Sequence, residues 1–206
     1  YRKEMGIVLK RRDNAPIVKD VYGGIIDILM KDKDVDKAVT FLKDSLGQLV
    51  AGNCTMDKLI ITKSLRGYYK NPMQIAHKVL ADRMGSRDPG NKPASGDRIP
   101  FAYIQKEGKG LKQGDKIEHP DYITANKLQL DYSFYITNQI MKPVQQVFAL
   151  VLDKLEGFNR RRSMMISNQL ETLSATLSQE AYRKKEMDIK SKEVKTLLFD
   201  SYIQNA

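Results

Sequence analysis

Residues 6–16 are GIVLKRRDNAP, and this stretch decides how the chain around it is interpreted. A short apolar run ends in three cations, which predicts a strand or an extended edge over residues 6–12. The DNAP that follows is typical of a helix start, because Asp13 or Asn14 can cap backbone amides and Pro16 suits a first helical turn. We therefore expect an extended segment that leads into an amphipathic helix.

Apolar residues at helical spacing predict several helices further along the chain. The spacing continues from Pro16 past the pair Gly23-Gly24, where we expect an interruption with a bend or a close backbone approach. Amphipathic helices are also predicted over residues 35–50 and 72–84.

Short β-branched runs predict strands at residues 59–62 and 98–104, the second leading into a glycine-rich hairpin at 108–111. Beyond Gly157 the chain becomes polar, and we expect a long exposed helix or a weakly ordered tail. The whole pattern predicts an α+β fold that is mostly helical, with small β elements and a C-terminal helical extension.

A set of segments resembles, in the same order, the thumb region of family B DNA polymerases. The resemblance is closest to the eukaryotic delta type and to polymerases of large double-stranded DNA viruses. The segments are GIVLKRRDNAP at 6–16, LIITK at 59–63, RDPG at 87–90, GDRIPF at 96–101, PDYI at 120–123 and YITNQIMKP at 135–143.

The resemblance implies a division into the end of the palm at residues 1–14, a thumb domain at 15–157 and a C-terminal helical extension at 158–206. In this family the metal-binding aspartates of the palm lie upstream of the position that matches Tyr1. The parent would be a DNA-directed DNA polymerase, a nucleotidyltransferase that uses magnesium. We expect neither catalytic residues nor a cofactor in this fragment, which leaves its own status as an enzyme uncertain. The chain does not begin with methionine, and we expect it to be cut from a longer protein.

Composition favours a nucleic-acid partner. The chain has 35 Lys and Arg against 25 Asp and Glu, a formal net charge of +10, which attracts polyanions. Solvated lysines on helix faces would give the same excess, so charge alone does not decide. No apolar run is long enough for a membrane span.

Cysteine, histidine and aspartate give no pattern for a metal or redox site. The single Cys54 cannot form an intramolecular disulfide, and two histidines cannot complete a zinc set. Asp32, Asp34 and Asp36 alternate as in a calcium loop, but its glycine and closing glutamate are missing, so we expect them to cap the next helix. His77 is expected to be a hydrogen-bonded core residue.

Arg11 and Arg12 are the first candidates for DNA contact, because they lie at the palm-to-thumb junction in the matching motif. Their guanidinium groups could hold primer phosphates, or one of them could pair with Asp13 or a palm carboxylate. The family usually has a lysine directly before Gly6, where this chain has Met5. We therefore expect no cation from that position.

Further cations complete the predicted surface. They are Arg87 and Arg98 around a glycine-containing loop, Lys63 and Arg66 beside Tyr68-Tyr69, Lys109 with Lys106 and Lys112 in the hairpin, and Lys142 before Pro143. For the loop arginines the alternative is an internal salt-bridge network. None of these groups has a clear route to base edges, so we expect binding through phosphates that weakens as salt rises.

The expected partners are primer–template DNA and the palm and other domains of the same polymerase. For the terminal helix around Leu197, Leu198 and Tyr202 there are two alternatives: it folds back on the palm, or it binds a processivity factor. The expected location is intracellular, at the host nucleus or a cytoplasmic site of viral replication. The rival hypotheses are a stand-alone basic helical protein that binds nucleic acid or serves as a scaffold, and a divergent thumb that acts mainly as a brace.

Overall fold

The computed structural model describes residues 9–203. The α-helices are α1 (Pro16–Asp27), α2 (Val35–Val50), α3 (Ala76–Arg87), α4 (Pro120–Asn126), α5 (Tyr132–Phe134), α6 (Met141–Ala149), α7 (Arg160–Ser174), α8 (Gln179–Leu198) and α9 (Asp200–Ile203). The strands are β1 (Ile61–Ser64), β2 (Arg98–Tyr103) and β3 (Ile117–Glu118). The predicted α+β class with a helical majority is confirmed.

The start of the chain corrects one prediction. Helix α1 begins at Pro16 as expected. Residues 6–8 lie outside the described residues, but Leu9 and Lys10 are helical, so the strand predicted over residues 6–12 is wrong there. A strand needs a neighbour for its backbone hydrogen bonds, and the sheet formed by the described residues contains only β1, β2 and β3.

Helix α1 passes through Gly23 and Gly24 without interruption, although a break was predicted there. A Cβ atom added at Gly24 would lie 2.4 Å from Cζ of Phe41 on α2. The predicted close approach is therefore confirmed, since glycine provides room for the Phe41 ring.

Helix α2 has the predicted bounds and the predicted cap. Asp34 accepts a hydrogen bond from Lys37 N at 3.1 Å, which satisfies one of the free amides of the first turn. Its buried stripe includes Leu42, Leu46 and Leu49. The structure thus supports the capping role expected for this aspartate.

The described residues divide into two compact units. The first contains the residues up to Lys19 together with Cys54–Tyr135, and the second contains Asp20–Asn53 and the residues from Ile136 onward. The predicted boundary at residue 157 does not coincide with these limits. The assignment of segments to palm, thumb and extension remains a prediction.

The first unit is built on the antiparallel sheet β1–β2–β3, with α3 packed beside it. Tyr135 is fully buried in its core, where the hydroxyl donates to Leu59 O at 2.6 Å and accepts from Tyr103 N at 3.0 Å. The Tyr103 ring stacks on Phe134, with 3.5 Å between ring centroids. This aromatic cluster anchors the last residue of β2 in the core.

In the second unit α8 packs against α6 and α7, and α9 contacts α2. The polar region beyond Gly157 therefore forms two long helices, in agreement with the helical alternative. Val194 and Leu198 of α8 are buried, and so is Phe199. Asn159 caps α7, and Arg162 pairs with Glu193.

Candidate nucleic-acid interface

A cationic groove lies on the surface of the first unit. We call it the basic groove, and its lining consists of Arg12, Asn14, Pro16, Lys19, Asp57, Ile60, Thr62 and Arg98. Arg12 comes from the turn before α1, Lys19 from the start of α1, and Arg98 begins β2. The groove thus joins two predicted cations with a third, Lys19, that the sequence interpretation missed. Lys19 lies three residues after Pro16, the predicted start of the helix, and this position is the signal that could have identified it.

Arg98 is held in place by β1. Its Nη1 donates to Ser64 Oγ at 3.0 Å, and its Nη2 donates to Thr62 O at 3.0 Å and Thr62 Oγ1 at 2.9 Å. Ser64 is the cross-strand partner of Arg98, so the alternating pleat points Thr62, Ser64 and Arg98 to one face. The strand register therefore orients this guanidinium.

No direct ion pair with another described residue neutralises the charge of Arg98. Among residues 9–203 no carboxylate forms a salt bridge with Arg98 or Arg12, and both residues are exposed. Asp57 is the acidic residue in the groove lining. Three cations against one carboxylate leave the groove suited to an anion such as a phosphate.

Lys63 points away from the basic groove. It pairs with Ile99 across the strands, so it lies on the opposite face of the sheet from Ser64 and Arg98. The positive charges of Lys63 and Arg66 both lower the pKa of His77. Arg12 and Arg98 therefore belong to one site on this unit, and Lys63 and Arg66 to another.

The second site is the loop of residues 65–71, which we call the tyrosine loop. Tyr69 anchors it: the Tyr69 hydroxyl accepts from Arg66 N at 2.8 Å and lies 3.0 Å from His77 Nε2. His77 Nε2 also lies 3.2 Å from Ser64 O. Burial lowers the pKa of His77, and the charges of Lys63 and Arg66 lower it further, so the neutral imidazole is favoured near pH 7. The predicted hydrogen bonding of His77 agrees with these contacts, but its side chain is half-buried and not part of the core.

Arg87 has a different environment from Arg98. Its Nη1 and Nη2 donate to the two oxygens of Glu118 at 2.9 and 2.8 Å, and its guanidinium lies 3.6 Å from the ring centroid of Tyr122. Arg83 donates to Glu118 Oε1 at 3.1 Å and to Gly114 O and Ile117 O at 3.0 and 2.6 Å. These contacts correspond to the internal salt-bridge alternative for Arg87.

Glu118 is the centre of this network and is 5% exposed. Burial raises the pKa of Glu118, but the hydrogen bond from Arg87 and the charges of Arg83 and Arg87 outweigh it, so the pKa lies below the ordinary value of 4.5. The sequence interpretation missed Arg83 and Glu118. They lie 35 residues apart, and no local pattern signals a pair at that distance.

The remaining predicted cations do not join the basic groove. Lys109 is exposed in the loop that precedes β3, and Arg11 is exposed next to Arg12. Lys142 belongs to the second unit, where it lines a groove with Met141, Gln145 and residues of α7 and α8. Contact of these residues with DNA remains a prediction.

Comparison with known proteins supports the resemblance seen in the sequence. The profile of the family described as DNA polymerase family B matches residues 2–151. The chain belongs to DNA polymerase family B.

Relatives within this family include viral and cellular polymerases. The chain is 53% identical to a DNA polymerase of Pyramimonas orientalis virus over 97% of its own length and 17% of that protein. It is 55% identical to a DNA polymerase of Acanthamoeba polyphaga mimivirus over 74% of its length and 9% of that protein. It is 31% identical to the DNA polymerase delta catalytic subunit of Candida albicans over 82% of its length and 16% of that protein. The chain thus spans less than a fifth of the length of these relatives.

A solved structure supports the fold. The family B DNA polymerase from the archaeon Pyrobaculum calidifontis aligns with a TM-score of 0.53 and 21% sequence identity, over 64% of this chain and 17% of that one. At this identity the match concerns the fold alone.

The described part of this family B chain offers neither a metal site nor a membrane span. Within residues 9–203 no cluster of three or more His, Cys, Asp or Glu residues is arranged to hold a metal ion. None of the described helices has the length and apolar character needed to cross a bilayer.

Proposed function

We propose that this chain is the thumb of a family B DNA polymerase and that it holds primer–template duplex by its phosphate backbone. The orientation of Arg98 by Thr62 and Ser64, in a groove with Arg12 and Lys19, is the observation that carries the proposal. A guanidinium that is already oriented, and that has no carboxylate partner in the part of the chain that the structure describes, can donate its remaining N–H groups to phosphate oxygens.

The proposed contact is independent of base sequence. Arg and Lys bind phosphate oxygens through charge-assisted hydrogen bonds, and such contacts position a protein on DNA without selecting a sequence. A replicative polymerase requires this property because it must move along any template.

Within this proposal Arg87 does not contact DNA but helps to hold the sheet that carries Arg98. Its bidentate bond to Glu118 joins α3 to β3, and β3 pairs with β2, the strand that begins with Arg98. The predicted DNA contact of Arg87 would require a guanidinium nitrogen to leave Glu118. We therefore assign Arg87 to the positioning of the sheet.

Charge reversal in the basic groove tests the proposal. We expect Arg12→Glu and Arg98→Glu each to weaken binding of primer–template duplex by about tenfold or more, as measured by fluorescence anisotropy with the 206-residue chain. Lys127→Glu makes the same charge change at an exposed residue of the same unit that does not line the groove, and it should leave the affinity within about twofold.

These measurements distinguish a thumb that binds DNA from a thumb that acts mainly as a structural brace. If circular dichroism shows intact helices and both groove variants bind duplex as the wild type does, the thumb acts as a brace and the proposed grip is wrong. A stand-alone basic protein would be supported if the natural open reading frame contained no aspartate-bearing palm upstream.

The activity of the parent is part of the proposal. We propose a DNA-directed DNA polymerase whose magnesium ions are held by palm residues, as membership of DNA polymerase family B implies. Its proposed partners are primer–template DNA and the other domains of the same polymerase. The viral polymerases among the relatives favour a site of viral DNA replication inside the host cell.

A processivity factor would have to contact residues of α8 and α9 that are not buried. Leu198 is buried in its own unit, whereas Leu197 and Tyr202 are partly exposed, with the Tyr202 hydroxyl donating to Lys43 O at 3.2 Å. We propose Leu197 and Tyr202 as the contact residues. Unchanged processivity after deletion of residues 190–206, with the accessory factor present, would refute this contact.

A further inference from the structure

Tyr68 is the most exposed of the large hydrophobic side chains in the described part of the chain, with 81% of its surface accessible. Its neighbour Tyr69 is half-buried and hydrogen-bonded to the tyrosine loop and to His77. Adjacent tyrosines thus have opposite roles: one anchors the loop, and the other presents its ring to solvent. Tyrosine combines an apolar ring with a polar hydroxyl and is enriched at contact surfaces.

The loop that carries Tyr68 is tied to the rest of the unit at both ends. Leu65 N donates to Asp97 O at 2.8 Å and Gly96 N donates to Leu65 O at 2.7 Å. A Cβ atom added at Gly67 would lie 3.2 Å from Ser95 Oγ, so the two loops are in close contact there. Together with the Tyr69 anchor, these contacts define the backbone on either side of Tyr68. The exposure of its ring therefore does not come from an untethered loop.

Cations flank Tyr68 along the chain. Arg66 and Lys70 are exposed two residues before and two residues after Tyr68, and Lys63 is exposed at the end of β1. Within the part of the chain that the structure describes, none of the three forms a salt bridge with a carboxylate. An aromatic ring flanked by uncompensated cations matches the chemistry of a nucleic-acid strand, which offers a flat base and a phosphate in every nucleotide.

We propose that Tyr68 stacks on an unpaired base of single-stranded DNA while Arg66 and Lys70 bind the flanking phosphates. The ring requires an unstacked base, because the faces of bases inside a duplex are covered by their neighbours. The tyrosine loop is therefore selective for single strands, in contrast to the basic groove, which binds duplex phosphates. This inference rests on the proposed function, since it assumes a DNA-binding polymerase thumb.

Two probes test the inference with the 206-residue chain. The first is a single-stranded oligothymidine carrying one 2-aminopurine, and the second is a blunt duplex of similar length. We expect Tyr68→Ala to weaken binding of the single strand by at least about fivefold and to abolish the quenching of 2-aminopurine that stacking produces. Duplex affinity should stay within about twofold of the wild type.

Two further variants serve as controls. Tyr68→Phe keeps the ring and should preserve both affinity and quenching, whereas Met73→Ala removes a nearby exposed apolar side chain and should change neither. If Tyr68→Ala leaves single-strand affinity and quenching unchanged, the stacking site is wrong. Equal losses of single-strand affinity in Tyr68→Ala and Met73→Ala, without quenching in the wild type, would indicate a general apolar contact with the strand instead of stacking, which also overturns the inference.

The same probes separate the inference from the proposed function. If the wild type binds duplex and Tyr68→Ala has no effect on the single strand, only the stacking site fails. If the wild type binds neither probe, the DNA-gripping function fails and the stacking site fails with it.

Discussion

Arg98 and Thr62 lie on adjacent antiparallel strands, and Nη2 of Arg98 donates to both oxygens of Thr62, at 3.0 Å to the backbone and 2.9 Å to the hydroxyl. Immobilising a long arginine side chain costs about 1.5–2 kcal/mol of conformational free energy. Much of this cost is met during folding, because β1 already orients the guanidinium. A phosphate would then meet a preorganised donor.

Thr62→Val tests this preorganisation directly. The substitution keeps the size and the β-branched shape of the side chain but removes the hydroxyl acceptor of Arg98. We expect duplex affinity to fall by about two- to tenfold, the equivalent of one hydrogen bond of about 0.5–1.5 kcal/mol. Thermal unfolding should change little. Unchanged affinity in anisotropy titrations would show that the Thr62 hydroxyl contributes nothing to binding by Arg98.

Substitution of Arg87 should lower the stability of the chain, whereas substitution of Arg98 should weaken its binding to duplex DNA. Arg87→Ala leaves the buried Glu118 with Arg83 as its remaining cationic partner, so we expect a loss of roughly 1–3 kcal/mol in the free energy of unfolding. Arg98→Ala should leave stability within about 0.5 kcal/mol and weaken duplex binding instead. Urea denaturation and anisotropy on the same preparations measure both quantities. The assignment of the two roles fails if Arg98→Ala is the less stable variant.

Glu118 should make stability dependent on pH in the acid range. Its pKa in the folded chain lies below 4.5, so the unfolded chain binds a proton first as the pH falls. The stabilisation is fully present above about pH 4.5 and is lost as the pH falls through the lower, folded pKa. Glu118→Gln cannot titrate, and its stability should fall less steeply in this window. Parallel urea-denaturation curves for the two proteins across the window would contradict the ion-pair account.

Two glycine substitutions should have opposite effects. A Cβ atom at the buried Gly114 would lie 2.7 Å from Cβ of Val79, a stiff β-branched residue, so Gly114→Ala should destabilise the chain by about 1–3 kcal/mol. Gly47 lies within α2, where no atom of another described residue lies within 4 Å of an added Cβ, and Gly47→Ala should stabilise the chain by about 0.5–1 kcal/mol. Chemical denaturation measures both changes, and equal signs would contradict the packing described around Gly114.

The sequence predicted the long periodic elements well, because their signals are local. Helix α2 carries its apolar stripe and its Asp34 cap within 17 consecutive residues, 34–50. The strand predicted at 59–62 was placed two residues early, since pairing with β2 fixes the register rather than the β-branched run itself. The expected strand over residues 6–12 was wrong at Leu9 and Lys10 because no neighbouring strand could be read from the sequence.

The distribution of cations between the surface and internal networks could not be predicted. Arg87 and Arg98 lie on either side of the same glycine-containing segment, for which the sequence predicted a loop from residue 85 to 97, but the structure places Arg87 at the end of α3 and Arg98 at the start of β2. Their environments differ because Glu118, which lies 31 residues after Arg87, is buried beside α3, whereas the residue opposite Arg98 is the hydroxyl-bearing Ser64. Both facts depend on tertiary contacts that neither motif nor spacing contains.

The salt dependence of duplex binding tests the central claim most directly. Each phosphate contact adds roughly 0.9 to the slope of log K against log salt concentration. We predict that the slope for Arg12→Ala/Arg98→Ala is shallower than the wild-type slope by about two, while Lys127→Ala keeps the wild-type slope. Identical slopes for the wild type and the double variant would mean that these arginines bind no phosphate, and the proposed grip would be wrong.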